Sequence, residues 1–170
     1  MSRVVNEKLK EAVKNFKLPK YNEIPNVGLY LEQTAKYISE INYNEDPVIT
    51  GSMISNYVKK GLISNPVKKQ YSRDQIAYLI FISIAKSVLS MEDIKLLIEM
   101  QKATYEPQVA YNYLVEEFEN VVGYVFGLKD EMEKIGENNH ETKMMLRNLI
   151  ITVAHKAYLD VCFKYYRNKE

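Results

Sequence analysis

Thr50, Ser72 and Ser90 each precede an apolar run, and the last two have Gln75 and Asp93 three residues on, the reciprocal position of a capping box. Nothing else in the chain limits its fold so tightly. Three helix starts this close leave room only for helices of about two to four turns and one short non-helical stretch. The helix opened by Thr50 is expected to run to about Lys60, where Gly61 supplies a left-handed stop. Leu62 to Tyr71 is too short for another helix and contains Asn65-Pro66 as a turn signal, so a two-stranded ribbon is expected there. The helix from Ser72 buries Ile76, Leu79, Ile80, Ile82, Ile84 and Val88, and the helix from Ser90 buries Ile94, Leu97 and Ile98.

Outside this block the periodicity is also helical. Asn6 to Lys17 carries Leu9, Ala12, Val13 and Phe16 on one side, and Leu18-Pro19 breaks it. Leu29 to Ile41 repeats Leu31, Thr34, Ala35, Ile38 and Ile41 at helical spacing, and Asn42 to Asp46 with Pro47 forms a polar connector. Pro107 suits the first turn of a long helix reaching at least Gly127, and Asn138-Asn139-His140-Glu141 restarts the chain as a last helix to about Arg167. The reading is all-α with a small two-stranded wing. Residues 1–26 form an N-terminal helix and linker, 27–101 a winged helix-turn-helix, and 106–170 a helical C-terminal lobe, with Lys102 to Glu106 as the boundary.

The charge is unevenly distributed. Residues 1–75 hold 12 basic against 8 acidic side chains, and 76–170 hold 11 against 14. Between Asp46 and Asp74 no acid occurs, yet Lys59, Lys60, Lys68, Lys69 and Arg73 do. If Ile54, Tyr57 and Val58 face inward, then Ser52, Ser55, Asn56 and Lys59 point out. A cationic helix tip beside a cationic ribbon is the pattern of a phosphate-backbone surface; the alternative is a merely solvated face.

At this point the residues resemble a family. Ile49-Thr50-Gly51-Ser52-Met53-Ile54-Ser55-Asn56-Tyr57-Val58-Lys59-Lys60-Gly61-Leu62-Ile63 is similar to the recognition helix and following turn of MerR-type transcription regulators. Lys68-Lys69-Gln70-Tyr71-Ser72-Arg73-Asp74-Gln75-Ile76 resembles their wing and next helix start, and Leu89-Ser90-Met91-Glu92-Asp93-Ile94 the opening of the helix after that. The resemblance covers roughly residues 27 to 100. The whole chain also resembles a bacterial family of unassigned function that joins such a front half to a helical back half. The resemblance implies a sequence-specific regulator that binds double-stranded DNA. Many MerR-type members carry an arginine and two tyrosines where this chain has Ser55, Asn56 and Tyr57, so base readout does not transfer directly. Asn56 can pair with an adenine edge and Ser55 with a base or phosphate. Lys59, Lys60, Lys68, Lys69 and Arg73 would hold phosphates, and Tyr71 would brace the wing or touch the backbone.

In the back half, Tyr111, Leu114, Val115, Phe118, Val121, Val122 and Val125 form an apolar face, with Glu116, Glu117 and Glu119 expected in solvent. The last helix is apolar nearly all round from Leu149 to Cys162, more than a lone surface helix needs. A homodimer through the C-terminal helices would cover it; a fully intramolecular core is the other solution. Gly123 and Gly127 either let two helices approach or mark a helix end. The tyrosines and phenylalanines of this half, among them Tyr105, Tyr111 and Tyr158, are core or the lining of a site for a small-molecule effector.

Other chemistries lack their residues. His140 and His155 stand fifteen apart, about 22 Å along a helix, and His155 and Cys162 about 10 Å, so no metal site is expected within a monomer. No phosphate-cradling glycine loop or nucleophile elbow occurs, so neither a cofactor nor catalysis is expected. The lone Cys162 reads as a small buried apolar residue. With no apolar run of about 20 residues and no signal-like start, no membrane association and a cytoplasmic location are expected. The alternative function is a protein-interaction module that keeps the winged fold and uses Met53, Tyr57 and the wing against another protein.

Overall fold

The computed structural model describes residues 3–41, 49–136 and 140–168. Among these the chain is mostly helical with one small antiparallel sheet: α1 (Arg3–Val13), a 3₁₀ turn (Tyr21–Glu23), β1 (Leu29–Tyr30), α2 (Leu31–Ile41), α3 (Gly51–Lys59), β2 (Gln70–Tyr71), α4 (Arg73–Ala85), α5 (Met91–Lys102), α6 (Pro107–Val125) and α7 (Glu141–Arg167). The connector expected at Asn42 to Pro47 lies outside the described residues, as do Asn138 and Asn139.

The capping signals do what their chemistry demands. Thr50 Oγ1 accepts from Met53 N at 3.2 Å. At Ser72 the box closes both ways: Gln75 N donates to Ser72 Oγ at 3.3 Å, and Ser72 N donates to Gln75 Oε1 at 2.8 Å. Ser90 Oγ accepts from Asp93 N at 3.1 Å, but the expected box does not close there, since the Asp93 carboxylate accepts from Ser90 Oγ at 2.7 Å instead of from the Ser90 backbone. Gly61 closes α3 at φ +72°, with Leu62 N donating to Tyr57 O and Gly61 N to Val58 O, each at 2.9 Å. Gly127 closes α6 in the same way, with Leu128 N donating to Gly123 O at 2.8 Å. The glycine pair therefore marks a helix end, and α6 stops at Val125, short of the expected Gly127.

α4 is the central element. Nine of its residues are buried, among them Ile76, Leu79, Ile82 and Ala85 at 0 % exposure, because α2, α5, α6 and α7 surround it. α1 lays Val5, Leu9 and Val13 against α7. It spans Arg3–Val13 rather than the expected 6 to 17, and Phe16 beyond its end packs edge-on to Phe118 at 5.5 Å. One contiguous buried cluster runs from Val5 to Cys162, across the expected boundary at Lys102 to Glu106. No helix among the described residues is long and apolar enough to cross a membrane.

The ribbon expected within Leu62 to Tyr71 requires correction. The two-stranded sheet pairs β2 with β1, Leu29 opposite Tyr71 and Tyr30 opposite Gln70, and the 62–71 segment adds only the bridge Val67 to Gln70. Pro66 has no N–H to extend the outer strand, whereas Gly28 at φ +75° turns the preceding chain so that Leu29 and Tyr30 reach β2 before α2 begins. The helix expected from Leu29 accordingly starts at Leu31, with Tyr30 N donating to Gln33 Oε1 at 2.9 Å.

Candidate nucleic-acid interface

α3 divides its side chains cleanly. Ile54 and Tyr57 are buried at 0 % and 4 % exposure, while Ser52, Ser55, Asn56, Lys59 and Lys60 are exposed along one helical stripe. The inner side chains fix the outer ones, because Ile54 and Tyr57 cannot leave the core without losing about 1.5–3 kcal/mol each. At the start of the helix a side chain on Gly51 would collide with Glu32 Oε1, so the α3 N-terminus already faces a carboxylate. At its end a side chain on Gly61 would meet Lys95 Nζ at 3.5 Å. That ammonium from α5 adds a cation beside Lys60, where the carbonyl end of a helix favours positive charge.

The chain then passes through buried Leu62 and Ile63 into the wing tip. The tip is a two-residue turn: Val67 N donates to Gln70 O at 3.1 Å and Gln70 N to Val67 O at 2.9 Å. Its two central residues, Lys68 and Lys69, have φ of +49° and +64°. Two consecutive left-handed residues define a type I′ turn, which ordinarily carries Asn-Gly because an L side chain there costs about 1–2 kcal/mol. Both lysines are exposed, and neither forms an ion pair with a described residue.

Two expected contact residues are occupied differently. Tyr71 is only 4 % exposed and packs in the core, so its ring braces the wing from inside. Arg73 is half-buried; its Nε donates to Ile24 O at 2.9 Å and its guanidinium lies 5.4 Å over the Tyr21 ring. Tyr21 OH in turn donates to Asp74. Arg73 thus staples the 18–24 segment to the start of α4. Gln75 has a comparable second task, its Nε2 donating to Ser64 O at 2.9 Å and Asn65 O at 3.2 Å, which holds the approach to the wing.

Lys95 and Tyr30 were not singled out by the sequence. Tyr30, 52 % exposed, lies beside Gln70 on the sheet, and exposed Val67 flanks the turn. Tyr30 falls within the helical spacing that starts at Leu29, and nothing local to Lys95 announces its proximity to Gly61.

Glu117 corrects another expectation. It is fully buried rather than solvent-facing, with Arg147 Nη1 at 3.3 Å from its Oε1 and the Tyr113 and Asn120 side chains also turned to its carboxylate. Burial pushes its carboxyl above the ordinary range, a rise that Arg147 opposes. Arg147 Nη2 also donates to Glu133 O at 3.2 Å, and Asn120 brackets Glu133 through both backbone groups, at 2.8 and 3.0 Å. The buried pair therefore pins the segment after α6. Among the described residues no three His, Cys, Asp or Glu side chains gather within metal-binding reach.

Residues 19–114 match the family model described as a domain of unknown function (DUF1836), and the chain belongs to that family. No curated protein matches the chain significantly, and neither does any solved structure.

Proposed function

We propose that this member of the DUF1836 family is a transcription regulator that binds double-stranded DNA through a MerR-like winged helix-turn-helix. The observation that carries the reading is the wing tip. Two lysines occupy turn positions that local energetics reserve for Asn and Gly, and strain of this kind persists where an exposed group is needed for function. Separately, α3 presents an exposed hydroxyl and amide stripe with Lys59 and Lys60 at its end. In this reading Ser52, Ser55 and Asn56 face base edges in the major groove. Lys59, Lys60, Lys68, Lys69 and Lys95 hold phosphates.

A homodimer completes the proposal. On α7, Met145, Thr152, Leu159 and Tyr166 recur every seven residues; Met145, Leu159 and Tyr166 are 40 %, 49 % and 55 % exposed, and Phe163 beside them is 53 % exposed. A second copy would cover this seam and set two α3 helices about one DNA turn apart. The protein-interaction alternative is weakened by Tyr57, one of its anchors, which lies in the core.

The test is fluorescence anisotropy on random-sequence duplex DNA across salt concentrations, followed by selection of bound fragments. Regulator function predicts salt-steep binding and an enriched, two-fold symmetric motif. Salt-insensitive or absent binding would refute it.

A further inference from the structure

Between α4, α5, α6 and α7 a cleft, partly open to solvent, reaches in beside the core. A cavity of about 60 Å³ lies there, bordered by Ala77 and Tyr78 of α4, Gln101 of α5, Ala110 and Leu114 of α6, and Leu146 of α7. Protein interiors contain few voids larger than a water molecule, and one water needs only about 10–15 Å³ measured this way. The space is several times that. Two small residues, Ala77 and Ala110, stand on its wall.

The lining is mostly apolar, with Tyr111 and Thr142 as further hydroxyl-bearing residues, and Tyr78 and Gln101 form a hydrogen-bonded polar corner. There Tyr78 OH donates to Gln101 Oε1 at 2.8 Å and Gln101 Nε2 donates to Tyr105 O at 2.7 Å. An amide nitrogen carries two N–H groups, so among the described residues one remains unused, next to spare lone pairs on the Tyr78 oxygen. No Lys, Arg, His, Asp or Glu borders the space, so a charged guest would lose its hydration with nothing to replace it. Tyr78 and Pro107 also border an open groove beside Ser72 and Lys102, which leaves these two side chains between the cavity and solvent.

We propose that this cavity is a binding site for a small uncharged molecule, about the size of one ring, apolar over most of its surface and carrying one oxygen that accepts from Gln101. A phenolic hydroxyl fits this chemistry, since it accepts from the amide and donates to the Tyr78 oxygen. The proposal does not depend on DNA binding. It does, however, place the guest between helices of the family-matched segment and α7, where it would bear on both.

The full chain, labelled at leucine methyls, is titrated with phenol, with benzene and with benzoate as the charged control. Phenol is expected to bind saturably with a Kd of about 0.1–1 mM and to move the Leu114 and Leu146 methyls. Benzene should bind about tenfold more weakly and benzoate not at all. Ala110→Leu fills the space and should weaken phenol at least about tenfold, and Gln101→Leu should erase the preference for phenol over benzene. Absence of saturable shifts at those methyls with phenol up to about 10 mM, or undiminished binding to a folded Ala110→Leu variant, overturns the site. Equal binding of phenol and benzene overturns the role of Gln101. Should Ala110→Leu not fold, the wild-type methyl shifts decide alone.

Discussion

Replacing Lys68 and Lys69 by Asn and Gly should make the protein more stable and a worse DNA binder at once. Both residues occupy the left-handed region, where a side chain costs about 1–2 kcal/mol. Glycine at 69 removes that cost but returns about 0.4–1 kcal/mol through the greater freedom of the unfolded chain. Asn at 68 tolerates the conformation better than Lys. The net gain is about 1 kcal/mol, which for a chain of 170 residues raises Tm by about 2–4 °C. If each lysine neutralises one phosphate, the slope of log K against log salt shrinks by about 1.8, and affinity at about 0.1 M salt falls about 60-fold. Calorimetry and anisotropy on the same preparation read both. Arg at 68 and 69 is the control, since it retains charge and strain and should leave Tm and salt slope near the wild-type values. Ala at both positions should lose the salt slope without the gain from glycine. An Asn-Gly variant that binds DNA with the wild-type slope would show that these lysines do not hold phosphates. One that melts no higher would show that the turn is not strained.

Asn56→Ala should leave the salt slope unchanged and lose about 1–3 kcal/mol of discrimination at one base pair, read by competition among single-position variants of the selected site; unaltered specificity removes Asn56 from base readout. Phe163→Glu on the exposed α7 seam should shift sedimentation from dimer to monomer without changing helicity, and a wild-type monomer at high micromolar concentration contradicts the dimer. Glu117 has a folded-state pKa raised above its unfolded value near 4.5, so the folded state binds the extra proton between the two values. Its contribution is complete below the unfolded value and is lost as pH rises through the folded one. The stability difference between wild type and Glu117→Gln should therefore fall from pH 4.5 upward in denaturant titrations, and parallel pH curves contradict this. Arg147→Ala, which strands a buried carboxylate, should cost about 3–5 kcal/mol; a loss below 1 kcal/mol would mean that the pair is not effectively buried.

What the sequence disclosed, and what it withheld, follow from the range of the interactions involved. Caps at Thr50, Ser72 and Ser90, and the stop at Gly61, are local hydrogen-bonding problems, so the helix starts from 51 to 91 are legible, whereas Val88, placed on the stripe of the helix from Ser72, lies three residues past its end at Ala85. The inward and outward sides of α3 followed from spacing alone. The partner of β2 did not, because nothing in Leu62 to Tyr71 says that Leu29 and Tyr30 will pair with it, and a two-residue strand carries too little alternation to be read. Lys95 approaches Gly61 only through the packing of α5, which no local pattern encodes.

Glu117 is the instructive case. It lies three residues after Leu114 and four before Val121, on the buried stripe of α6, so its position was visible in the same periodicity that identified the stripe. Residue type points to solvent and spacing to the core; Arg147, thirty residues away, together with Tyr113 and Asn120, makes a buried carboxylate tolerable there. The wing shows the opposite conflict. Lys68-Lys69 reads from sequence as ordinary surface charge, and only the backbone shows that the charge sits where a turn disfavours it. In both places local preference and observed conformation disagree, and such disagreements mark where a chain departs from what stability alone would select. At Glu117 a specific partner resolves the disagreement inside the fold. At Lys68 and Lys69 no described residue pairs with either ammonium, and in the proposed function it is the contact with DNA phosphates that would compensate their strain.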